Sequence, residues 1–175
     1  MKAAVWKGVH QLDIDEVPAP TPQGPHDVQV KVVACGVCAT AAHILENTFP
    51  MFRPPRIIGH EHTGIVSAVG REVTRVQDGD RVAVESGISC DRCYFCRDGR
   101  EHFCTNRFVH PGGFAEYVCV TDRQIHRLPE GISFEVGALS EPVACVLRAI
   151  DLVQFRSGDV ALVQGGGTIG CILTQ

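Results

Sequence analysis

Four cysteines, Cys90, Cys93, Cys96 and Cys104, follow one another in the spacing C-x2-C-x2-C-x7-C. A closed zinc site takes four soft donors about 2.3 Å from one ion at tetrahedral angles, and two-residue gaps let successive thiolates curl round a single centre. The intervening residues, Asp91-Arg92 and Arg97-Asp98-Gly99-Arg100, are polar and turn-prone. Such a segment cannot bury itself, so something other than an apolar core must order it. A pair of disulfides or four incidental cysteines are the alternatives. The N-terminus, Met1-Lys2-Ala3-Ala4-Val5-Trp6, runs into a strand-like pattern rather than a secretory leader. Clustered cysteines outside an oxidising compartment favour metal, and a structural zinc ion is expected here.

A second constellation is spread along the chain. Gly59-His60-Glu61-His62-Thr63-Gly64 offers an imidazole beside a carboxylate, Cys35-Gly36-Val37-Cys38 lies upstream and Glu141-Pro142 downstream. A catalytic zinc needs about three protein ligands and one open position, which a thiolate, an imidazole and one or two carboxylates could supply. Taken singly, His60 reads equally as a satisfied loop histidine. Cys35 and Cys38 read equally as a redox pair, although no thioredoxin-like context surrounds them.

The third chemical feature is Gly165-x-Gly167-x-x-Gly170. In a dinucleotide-binding turn the first glycine makes the bend, the second lets the backbone approach a pyrophosphate and the third permits close packing of helix on strand. The pattern alone is weak; here it follows the short apolar run Val160 to Val163 and opens a helix-like segment.

The elements that must position these groups are mostly strands. Lys2–Lys7, Leu12–Val17, Asp27–Ala34, Ile65–Val69, Asp80–Val84 and Phe114–Val120 alternate or are strongly apolar, with turns at Gly8, at Asp78-Gly79-Asp80 and at Pro111-Gly112-Gly113. Residues 18–25, rich in proline, read as an extended connection. Short strands at this spacing predict a small barrel or sandwich. Ser133–Ile150 carries apolar residues at helical spacing, with Pro142 where one helix stops or the next begins. Val160–Val163 is expected as a buried, parallel-type strand.

Composition bounds the rest. With 175 residues, 45% hydrophobic and 21% charged, the chain suits one domain plus part of another. A net charge of −4 without a basic block argues against nucleic acid, and no apolar run is long enough to cross a bilayer. Cys35, Cys119, Cys145 and Cys171, outside the metal patterns, suit a reducing cytoplasm.

In combination the motifs resemble the zinc-dependent medium-chain alcohol dehydrogenases. GHEHTGIVSAVG at 59–70 is similar to their zinc signature, CGVCAT at 35–40 to their first catalytic-zinc segment, and the cysteine quartet to their structural-zinc lobe. GGFAEYV, LSEPVACVLRAI and SGDVALVQGGGTIG follow in the family's order. The glutamate after His60 and the YFCRDGRE segment resemble the polyol and threonine dehydrogenase branch. The resemblance implies a mainly β fold with some α: a GroES-like β-barrel catalytic domain over 1–150 with a zinc lobe at 86–107, then, over 151–175, the first strand and the start of the first helix of a Rossmann domain. It implies Cys38, His60 and Glu61 as catalytic-zinc ligands and Glu141 as a glutamate that coordinates or stands just behind the metal. Thr40 and His43 match the proton relay, Cys35 a position that is not a ligand, and Gly165, Gly167 and Gly170 the cofactor turn. Zinc at both centres and NAD or NADP in the whole enzyme follow, with a small alcohol or polyol as substrate and a homo-oligomer as the assembly.

One position departs from the family's pattern. Ala41 stands where an aspartate usually follows the threonine and orients a ligand histidine. Loss of such a partner weakens metal affinity or activity by about 10–100-fold, so the catalytic zinc is expected to be held less tightly. The chain also reads as the N-terminal half of an enzyme, without the acidic residue expected about twenty positions past the glycines. No dinucleotide affinity or turnover is then expected from these residues alone, and the apolar faces of 133–150 and 160–163 are expected to stand exposed. The competing reading is a non-catalytic, GroES-like zinc-binding domain. Zinc-free quinone-reductase relatives are excluded by the cysteine quartet and the Cys38–His60–Glu61 set.

Overall fold

The computed structural model describes residues 1–49, 52–109 and 112–175; Pro111, of the turn expected at 111–113, lies outside them. Alternation in DVQVKVVACG builds the central strand. Val28 and Val30 are fully buried and their odd-numbered neighbours less so, the period of two that a strand with one buried face imposes. Strands β1 (Lys2–Gly8), β2 (Gln11–Glu16), β3 (Asp27–Gly36) and β4 (Arg56–Ile57) are followed by β5 (Glu61–Val69) and β6 (Arg81–Val84). The two-residue strands β7 (Gly87–Ile88) and β8 (Phe108–Val109) then precede β9 (Tyr117–Thr121) and β10 (Ile125–Arg127). They form an antiparallel five-stranded sheet in the order β10-β6-β5-β3-β9, a three-stranded sheet β2-β1-β4 and the small pair β7-β8. The Ala4 amide donates to the Phe114 carbonyl at 2.8 Å and helps join the first two sheets.

Two apolar clusters result. Val28, Val30, Val66, Val82, Val120 and Ile125 belong to one, inside the five-stranded sheet. β-branched side chains pack well on a pleated surface, and full burial of each stabilises by about 1.5–3 kcal/mol. The other gathers Trp6, Ala41, Ile44 and Ile58 with flanking Phe49, Phe52 and Phe114. It pins helix α1 (Ala39–Leu45) against the three-stranded sheet.

The helical stretch expected over 133–150 is two helices. Ser133 caps α3 (Phe134–Ala138) by accepting the Val136 amide at 3.2 Å, and the Thr63 hydroxyl donates to the Phe134 carbonyl at 2.8 Å, fixing α3 on β5. Pro142 sits in the first turn of α4 (Ser140–Val153), where a missing N–H is tolerated. Gln154, in the left-handed conformation at φ 53°, closes α4. The run Val160–Val163 is not a strand: it pairs with no neighbour, and Val160 and Leu162 are 98% and 93% exposed. An apolar β-type sequence becomes a strand only when a ladder partner takes its backbone groups, and none adjoins it among the described residues. The glycine turn beyond it leads into a short helix, α5 (Thr168–Leu173). Leu147, Leu152 and Phe155 are exposed as well. No helix among the described residues is long and apolar enough to cross a membrane.

Ala41 is 4% exposed within the Trp6 cluster. A carboxylate there would be taken out of water, with the unpartnered Trp6 Nε1 as a nearby candidate donor. Ala41→Asp is therefore expected to lower folding stability by about 2–3 kcal/mol, the cost of burying a poorly satisfied polar group. A denaturant titration that left the midpoint unmoved would contradict this.

Candidate metal centres

The cysteine quartet closes on itself. All four Sγ atoms lie within 4.8 Å of one another; Cys93 and Cys96 are 3.4 Å apart and Cys90 and Cys96 4.0 Å. Four thiolates on a tetrahedral ion with 2.3 Å bonds stand about 3.8 Å apart, so the spacing fits zinc. Helix α2 (Tyr94–Arg97) carries Cys96 and follows Cys93, which is its N-cap residue. Backbone amides point at the sulfurs: those of Cys90 and Asn106 donate to Cys104 Sγ at 3.3 and 3.4 Å. The Cys96 and Thr105 amides pull the Cys93 thiol down to about 6, and those of Arg92 and Cys93 lower Cys90. Desolvation, with the Cys93 and Cys104 thiols behind it, pushes Cys96 up to about 12. The amides favour thiolates, while four thiolates at this distance repel. A divalent cation resolves that conflict.

The second centre is assembled by strand register. Gly36 at the end of β3 faces Glu61 at the start of β5. The next turn of chain brings Cys38, the N-cap residue of α1, beside His60 and Glu61. Their donor atoms lie within 4.8 Å of one another. A thiolate, an imidazole and a carboxylate form a three-ligand set with room for a fourth, the donor count of an open zinc site. A Cβ on Gly36 would run into Glu61 Oε2, so that side chain would have to swing away from the centre. Gly36→Ala is thus expected to displace that carboxylate and weaken metal binding at this centre by about tenfold or more. Competition against a graded chelator reads the effect, and an unchanged affinity would refute the role given to Gly36.

The other residues singled out in the sequence sit at graded distances from this set. Thr40 Oγ1 lies 3.5 Å from Cys38 Sγ. Glu141, in the first turn of α4, shares the cleft with Cys38, His60 and Glu61 but falls outside the close donor group. Burial raises its carboxyl above the usual range; the Glu61 charge adds to the rise, and His60 and Arg107 oppose it. His43 is exposed, its Nδ1 3.9 Å from Glu46 Oε2, and no hydrogen bond joins it to Thr40 among the described residues. Burial pushes the Cys35 thiol up to about 12, which makes it a poor thiolate donor.

The cleft has a volume of about 700 Å³, and Gly165, Gly167 and Gly170 form part of its wall. Gly165 turns the chain at φ +113°, and a Cβ on Gly170 would strike the Gly165 carbonyl. The three glycines thus make a tight bend into α5. Sequence reasoning missed Arg56, which lines a smaller adjoining cavity with Thr40 and His60. Its signal was a charge set against Ile57 and Ile58 just before the His60-Glu61 motif.

Residues 24–130 match the family model described as the alcohol dehydrogenase GroES-like domain. Sorbitol dehydrogenase of Halalkalibacterium halodurans is 36% identical over the whole chain, which spans 52% of that protein. Among solved structures, a zinc-binding dehydrogenase from Sinorhizobium meliloti 1021 bound to NADP superposes with a TM-score of 0.92 at 39% identity. That match covers 98% of this chain and 51% of the other. An alcohol dehydrogenase from Escherichia coli CFT073, solved with NADH, gives 0.91 at 34% identity over 99% of this chain and 51% of its own. The chain spans about half the length of these relatives.

Proposed function

Because this chain belongs to the alcohol dehydrogenase GroES-like domain family, we propose that it forms the zinc-binding catalytic part of a nicotinamide-linked dehydrogenase acting on small hydroxylated compounds. Residues 1–150 would be the catalytic domain, with the zinc lobe at 86–107, and 151–175 the beginning of the nucleotide-binding domain. The observation that carries this reading is the convergence of Cys38, His60 and Glu61 on one point of a cleft that the Gly165–Gly170 turn also lines.

Cys38, His60 and Glu61 would hold the catalytic ion, and Cys90, Cys93, Cys96 and Cys104 the structural one. When bound, zinc would supply the Lewis acidity that lets a hydroxyl ionise near neutral pH, and a nicotinamide the hydride acceptor. Thr40 carries the nearest hydroxyl, 3.5 Å from Cys38 Sγ and open to both cavities. A hydroxyl donates and accepts at once, so Thr40 would take up the substrate proton. His43, three residues on along α1 and exposed, would pass it to solvent. Glu141, with its raised carboxyl, would adjust the charge behind the ion. The glycine bend would admit a dinucleotide pyrophosphate to the cleft wall.

The reading is tested by NAD or NADP reduction, with small alcohols and polyols, by the protein that carries this chain. Turnover that needs both the nicotinamide and an intact Cys38 supports it; turnover indifferent to Cys38 rejects it. Sorbitol dehydrogenase among the relatives favours a polyol as the neutral case.

A further inference from the structure

Among the described residues, Arg56 is the only arginine or lysine on the wall of the smaller cavity, about 140 Å³, that Thr40 and His60 share with the main cleft. Most of the remaining wall is apolar, including Ile44, Phe52, Ile57 and Ile58, and no carboxylate among the described residues lines it. The guanidinium lies 4.4 Å over the Phe52 ring centroid. Its Nη2 donates to the Val109 carbonyl at 2.9 Å, and Arg56 makes no ion pair among the described residues. A guanidinium has five N–H donors in a rigid fork and stays charged in proteins. One of the five is used among the described residues. The Phe52 ring and the Val109 carbonyl hold the guanidinium at the cavity wall, with donors to spare for a ligand. A planar two-oxygen anion matches that fork.

We propose that Arg56 recognises a carboxylate on the substrate, so that the preferred ligand is a hydroxy acid rather than a neutral polyol. This rests on the reading of the Cys38–His60–Glu61 centre given above, where the substrate hydroxyl would sit. The small cavity bounds only the end of the ligand beside Arg56, since the centre itself opens into the main cleft.

Glycerate and glycerol differ by one carboxylate in place of one CH2OH and form the natural probe pair. Their binding to the zinc-loaded full chain can be followed through Trp6, the single tryptophan, which packs in one cluster with Ile44 and Ile58. Glycerate should bind about tenfold or more tightly than glycerol, since a hydrogen-bonded charged pair contributes at least that much. Arg56→Gln keeps a donor for the Val109 carbonyl and removes the charge. It should erase the preference while leaving glycerol binding within about twofold. Arg56→Lys, which keeps the charge without the fork, should retain part of the preference. Equal binding of the two probes by the parent, or a preference that survives Arg56→Gln in a chain of unchanged circular dichroism, overturns the proposal. So does tighter binding of glycerol 1-phosphate than of glycerate. Zinc counted on the same samples separates the two levels: two ions per chain without a glycerate preference refutes the role of Arg56 alone, and fewer than two refutes the underlying reading and this inference with it.

Discussion

Replacing Cys93 with serine should release one zinc ion and unfold residues 86–107 while the five-stranded sheet stays intact. The reason is how little else supports the lobe: exposed contacts such as the Arg123–Asp91 ion pair and the 3.5 Å approach of Arg148 Nη2 to His102 Nε2 tie it to the rest of the chain. Neither α2 nor the 3-10 turn Glu101–Phe103 buries a residue, and the strand pair β7-β8 is only two residues long on each side. Tyr94, Phe95 and Phe103 touch one another, with ring centroids 5.5 and 5.8 Å apart, but Tyr94 and Phe103 are largely exposed. A two-stranded ribbon and one turn of helix are not stable alone in water. Zinc binding contributes about 10–16 kcal/mol to peptides folded by such a site, far more than these contacts. Hydrogen exchange should therefore show the amides of 86–107 losing protection in Cys93→Ser, with those of β3 and β5 unchanged. Protection retained across the lobe without metal would mean that side-chain packing holds it after all.

The second large effect belongs to Cys38. Cys38→Ser should empty the open centre, leave the quartet loaded and preserve the fold. The Cys38 side chain caps no backbone group of α1, and serine is itself a good N-cap residue, so the helix loses nothing. Two of the three donors remain, too few to hold the ion in a catalytic geometry. Polarisation by the metal is worth several kcal/mol in the transition state, so in the protein that carries this chain the proposed nicotinamide-dependent turnover should fall by about a thousandfold or more. The loss should reach kcat and not KM alone, as when an interaction made in the transition state is removed. Activity within tenfold of the parent would remove the open centre from the chemistry.

What the sequence disclosed depends on how local each feature is. The cysteine quartet is local, and its spacing alone implies one metal. The open centre is not: Cys38 meets His60 and Glu61 because Gly36 pairs with Glu61 across the ladder, and no spacing in the chain states that pairing. Only the resemblance to a family could name those ligands together. The β3 strand and the split of 133–150 near Pro142 were legible because alternation and proline act within a few residues. Helix α1 was not, since seven residues beginning at Ala39 offer too short a period and no capping side chain. Val160–Val163 misled for the opposite reason: its composition suits a strand, and the pairing that makes a strand is supplied by a neighbour. That Ala41 replaces a usual aspartate could be read only from the family's pattern; that its methyl packs with Trp6, Ile44 and Ile58 is a tertiary fact. Arg56 escaped notice because a cation gains meaning only from the cavity it faces.

The most direct measurement of the central claim is zinc per folded chain by elemental analysis, taken on the parent and on the two cysteine variants together. Two ions in the parent are predicted, with one lost in Cys93→Ser and the other in Cys38→Ser. A parent chain with unaltered near-ultraviolet circular dichroism that holds no zinc, or a single ion that Cys93→Ser alone removes, would contradict the account.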